Sequence, residues 1–133
     1  MRKTPLKFRL IAAGFYVILA MVLISMPFAS IPIFGLLWPN TKTTHPLIDR
    51  SGRDALNYAL NHSLSMLVVV SFFVILSITC SVNCQDKSFD NLTLSILGLV
   101  QATYLISSII AGIFALRGYH FDNMLIYHFV LDE

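Results

Sequence analysis

The stretch Ser51–Val82, SGRDALNYALNHSLSMLVVVSFFVILSITCSV, is polar in its first half and apolar in its second, and nothing at the join breaks it. Arg53, Asn57, Asn61 and Ser65 recur every four residues and so share one helical face, with Asp54, Tyr58 and His62 forming a second ladder beside them. From Leu64 to Val82 come 19 apolar or small residues. At 1.5 Å per residue they extend roughly 28 Å, close to the ~30 Å hydrocarbon core of a bilayer. The pattern predicts one helix that starts in water or headgroups and finishes across a membrane. Ser51 followed three residues later by Asp54 resembles a capping box with Asp in place of Glu, which puts the start of that helix at Ser51.

The composition of the 133-residue chain agrees: 56% hydrophobic, 12% charged, with a mean hydropathy of +0.75. A soluble domain carries about 25% charged residues. Half that charge cannot solvate a globular surface, so residues 1–133 are expected to form a single all-α integral membrane domain in contact with the lipid bilayer. The net charge of +2 gives no argument for nucleic acid. Its cations are local: Arg2, Lys3, Lys7 and Arg9 crowd the start, and Lys42, Arg50 and Arg53 lie between the first two apolar stretches. Such clusters set orientation and meet anionic headgroups.

Two further apolar stretches flank the central one. The first, residues 10–38, is too long for one untilted crossing and contains Pro27 and Pro32. Each proline removes a backbone donor and clashes with the preceding turn. The stretch is therefore expected to be proline-bent: a helix to about Met26, a bend, and a short helical piece from Ile31 to Trp38, followed by a polar turn from Pro39 to Arg50. The start looks like a signal peptide, but cleavage after Ala29 would put Pro27 at the −3 position, so it reads as an uncleaved anchor. The third stretch, residues 92–116, carries the small residues Gly98, Ala102, Ser108, Ala111, Gly112 and Ala115, which let helices approach closely and mark it as a packing helix. Gln101 within it needs a hydrogen-bond partner away from lipid. Residues 119–131 pattern as an interfacial amphipathic helix.

Lys and Arg counts bear on topology. A first stretch that doubles back as a re-entrant hairpin puts eight cations on one side against Lys87 alone; a simple crossing gives five against four. The positive-inside tendency favours the bend.

Candidate chemistry is sparse. Cys80 and Cys84 flank the loop expected outside the cytoplasm, and both a disulfide and two free thiols fit their spacing. His120, Asp122 and His128 match no ligand spacing, so no metal or other cofactor is expected. The three stretches contain no Asp, Glu, Lys or Arg, which disfavours a self-contained transporter. No small-molecule substrate or catalytic residue is evident. Asn57 reads as lying in the headgroup layer; for Asn61 and Ser65, headgroups and a helix partner fit equally.

Gly52-Arg53-Asp54-Ala55-Leu56-Asn57-Tyr58 is similar to a segment of a widespread family of small bacterial membrane proteins of unknown function, itself distantly related to the channel-like subunit of the chloroplast inner-envelope protein translocon. Ala115-Leu116-Arg117-Gly118-Tyr119 with Phe121 resembles that family's closing segment. Ser51 stands where the family usually has His, and Met124 near where it usually has Pro. The resemblance implies a compact helical domain in a bacterial inner membrane with both termini cytoplasmic, an organellar membrane being the alternative, and it implies no reaction. The expectation is a non-catalytic accessory or assembly subunit packed against a larger membrane complex. The alternative is a component of a protein-translocation or pore-forming complex, with Arg53, Asn57, Asn61 and Ser65 lining a wet path.

Overall fold

Proline and apolar content shape the first stretch. In the computed structural model, which describes residues 4–41, 43–79 and 87–119, helix α1 spans Leu6–Ser25. It stops because Met26 precedes Pro27 and is driven to extended backbone (φ −147°, ψ 77°). A single 3₁₀ turn, Pro27–Ala29, leads into α2, Ser30–Thr41. Pro32 falls in the first turn of α2, where its missing donor would have had no partner. Pro39 lies inside α2 without ending it. Beyond it Asn40 Nδ2 donates to the Leu36 carbonyl at 2.8 Å and Thr41 Oγ1 to the Leu37 carbonyl at 3.0 Å, which steadies the last turn. The expected polar turn from Pro39 to Arg50 is therefore mostly helical.

Helix α3 spans Pro46–Thr79, five residues earlier than the capping-box reading placed its start. The reason is local. Pro46 occupies the first helical position, where its fixed φ is preorganised, and His45 Nδ1 accepts the Leu47 N–H at 3.1 Å. Ser51 is buried one turn further on instead of capping. Helix α4 spans Lys87–Leu116 and ends in a Schellman motif. There the Gly118 N–H donates to the Ala115 carbonyl and the Tyr119 N–H to the Phe114 carbonyl, with Gly118 at φ +81°. No strand occurs among the described residues. The protein is all-helical, with α1, α3 and α4 each long and apolar enough to cross a membrane.

Contacts fix the path. The Phe8 ring stacks on His45 at 4.4 Å, so the base of α1 meets the start of α3. Because α1 rises about 30 Å, α2 must return toward the base, which it does packed chiefly along α3, and the first stretch is a helical hairpin. Gln101 lies at Leu23, Ser108 at Tyr16 and Gly118 at Arg9, so α4 runs antiparallel to α1. The core sits where α1 meets α2, α3 and α4: Ala12, Phe15, Tyr16, Leu19 and Leu23 against Phe34, Ala55, Tyr58, Ala111 and Ala115. At 34 residues, α3 is about 51 Å long, well beyond the ~30 Å hydrocarbon core. Its burial is concentrated in its first half. Ile48 to Ser63 holds its buried residues apart from Phe73.

Candidate functional site

Three groups of polar side chains tie the helices together, one at each level of the bundle. At the base, Trp38 Nε1 donates to Asp49 Oδ1 at 2.8 Å, Arg53 Nη2 donates to Asp49 Oδ2 at 2.8 Å, and the Arg53 guanidinium lies 5.6 Å from the centre of the Trp38 ring. This joins α2 to the first turns of α3. It requires Gly52: a Cβ there would stand 2.9 Å from Trp38 Cδ1 and 3.3 Å from Phe15 Cε1. One level up, the Tyr16 hydroxyl donates to Asp54 Oδ2 at 3.2 Å, the Tyr16 ring meets Tyr58 edge-on at 6.4 Å, and Ser108 Oγ donates to the Tyr16 carbonyl at 3.0 Å. Tyr16 thus joins α1 to both α3 and α4.

The top group lies where α1 ends. Gln101 Nε2 donates to the Leu23 carbonyl, which leaves Gln101 Oε1 to accept; His62 Nε2, 2.6 Å away, therefore carries the proton and donates. The Tyr104 ring meets His62 edge-on at 5.2 Å, and its hydroxyl pairs with Ser65 Oγ at 3.0 Å. Leu23, His62, Ser65, Gln101 and Tyr104 form one chain of contacts across α1, α3 and α4. His62 Nδ1 and Ser63 Oγ are buried there without a partner among the described residues.

Both ladders are turned largely into the bundle. Asn57 is 1% exposed, so it lies inside the bundle, and its carbonyl accepts Asn61 Nδ2 at 2.8 Å. Asn61 is likewise buried, Ser65 is bound to Tyr104, and Arg53 is paired with Asp49. The small residues of α4 divide. Ser108, Ala111, Gly112 and Ala115 are buried, and a Cβ at Gly112 would touch Tyr16 Cβ at 3.4 Å, so their neighbour is α1 of the same chain. Gly98 and Ala102 are exposed, and a Cβ at Gly98 would meet nothing within 4 Å. Cys80, Cys84, His120, Asp122, His128 and the expected tail helix lie outside the described residues. Among the described residues, no three His, Cys, Asp or Glu side chains are grouped to hold a metal ion. The Tyr16–Asp54 and His62–Gln101 bonds were not foreseen as pairs. The signals for them were Gln101, the one amide in the third stretch, and the Asp54–Tyr58–His62 ladder.

These polar groups spend their donors and acceptors on neighbouring helices. What they accomplish chemically is cohesion: in lipid no water competes for a buried hydrogen bond, and each bond selects one helix arrangement.

A family model described as the MamF/MmsF magnetosome magnetite crystal formation protein family matches residues 8–130. No curated protein and no solved structure matches the chain.

Proposed function

The chain belongs to this magnetosome magnetite crystal formation family, and from that premise we propose that it is a non-catalytic accessory protein of a membrane in which magnetite crystals form. In this reading it packs against a larger membrane complex. The observation that carries the proposal is the division of its surface. The polar side chains in the first half of α3 are drawn inward, while Leu67, Val68, Phe72, Val74, Ile75 and Ile78 of its second half stand 51–77% exposed, and Gly98 and Ala102 of α4 are open as well. Such an exterior suits lipid and other transmembrane helices, and the small pair permits close helix approach.

Orientation follows from charge. The hairpin and the antiparallel α4 gather Arg9, Arg50, Arg53 and Arg117 at one end, with Lys87 toward the other. The positive-inside tendency assigns the first end, and with it both termini, to the cytoplasm, as for a bacterial inner membrane or a compartment derived from it. The translocation alternative has less support, because the ladder that would line a path is used inside the bundle.

The test is gentle detergent extraction from native membranes, native-size separation and identification of companions. A stoichiometric companion larger than this chain is expected, together with altered magnetite crystal number or size on deletion in a magnetite-forming host. A lone monomer or a homo-oligomer with unaltered crystals would sink the proposal.

A further inference from the structure

Between α1 and α4, on the outside of the bundle, runs an apolar groove of about 360 Å³. Its floor is made of small residues, Ala13, Ala20 and Gly112, and its walls of exposed apolar ones, among them Met21, Ile24 and Ile113. From Ala13 to Ile24 it follows α1 for about 16 Å, the thickness of one leaflet of a ~30 Å hydrocarbon core.

Both walls end in a cation at the same end of the bundle. Arg9 precedes Ala13 by four residues and continues the α1 side of the groove; Arg117 follows Ile113 by four and continues the α4 side. The antiparallel packing brings the two together. Arg9 Cδ lies 3.1 Å from where a Cβ would stand at Gly118, next to Arg117. Arg9 Nε is held by the Thr4 carbonyl at 2.9 Å, which fixes the side chain and leaves its terminal amino groups without a partner among the described residues. Arg117 is exposed, and among the described residues no carboxylate is paired with it.

We propose that this groove binds one anionic glycerophospholipid, with an acyl chain along α1 and α4 and the phosphate on Arg9 and Arg117. The dimensions argue for an acyl chain and the paired arginines for an anionic headgroup; basic pockets between transmembrane helices are a recurrent headgroup site. The second groove, between the far ends of α3 and α4, supplies the contrast. It is larger, about 610 Å³, but Asp90 is among its lining residues, and a carboxylate repels an anionic headgroup.

The test is native mass spectrometry of the full chain in detergent, with dioleoylphosphatidylglycerol and dioleoylphosphatidylcholine supplied in equal amounts. The expected result is a single retained phosphatidylglycerol, preferred roughly tenfold. Arg9→Gln with Arg117→Gln should abolish the preference, whereas Arg50→Gln, which removes an exposed cation away from the groove, should leave it intact. Ala20→Phe, which fills the floor, should lower retention of both lipids while the protein still elutes as a single species. Equal retention of the two lipids, or a preference that survives the double arginine change, would overturn the proposal.

Discussion

The two halves of α3 are built to opposite rules. From Pro46 to Ser63 the helix is rich in polar residues and buried: Ser51, Asp54, Asn57, Asn61, His62 and Ser63 are each no more than 8% exposed. From Leu64 to Thr79 it is almost wholly apolar and open, with only Phe73 buried. In water the arrangement would be inverted. A hydrocarbon solvent removes the incentive to hide leucine and penalises an exposed amide, so polar residues become the adhesive and apolar ones the surface. Burial within α3 therefore tracks hydrogen-bonding capacity more than hydrophobicity.

That contrast can be broken by substitution, with stability read by denaturant titration in mixed micelles. The largest effect is expected from Phe34→Ala, which empties a fully buried site between α1 and α2 and should cost about 3 kcal/mol. Gly52→Val should follow at roughly 2–3 kcal/mol, because its side chain would enter space held by Trp38 and Phe15. Gln101→Leu should cost about 1–2 kcal/mol by leaving His62 and the Leu23 carbonyl without their partner; retention of wild-type stability would mean that the top group is not cohesive. Gly118→Ala should cost about 1 kcal/mol, since its φ of +81° suits glycine and the new Cβ would press on Arg9. At the bottom of the scale, Leu67→Ala in the open half should change stability by less than about 0.5 kcal/mol. A loss at Leu67 as large as that at Gly52 would erase the distinction between the halves of α3.

The Gly52–Tyr58 segment shows how far a motif can be read. Its likeness to a small bacterial membrane family marked it as important, and the family match bears out that coarser reading, though not the kinship to a translocon. Why those residues belong together was not legible. Gly52 makes room for Trp38, Arg53 reaches Asp49 beneath that ring, Asp54 accepts from Tyr16, and Tyr58 meets the same tyrosine edge-on. Each partner lies on another turn or another helix, and partners across such distances are invisible to a local pattern. Gln101 is intermediate: that it needed a partner was evident from an amide in an apolar run, but not that the partners would be His62 and the end of α1.

From sequence alone came the membrane class, the three apolar helices and the bend at Pro27. These follow from composition, length and proline chemistry, which act within a few residues. Tertiary structure decided that α2 returns along α3, that the polar ladder turns inward, and that Ser108 to Ala115 serve α1 of the same chain. The physical reason is common to all three. A polar or small face states only that it must meet something other than lipid, and which surface it meets is set by how the helices cross.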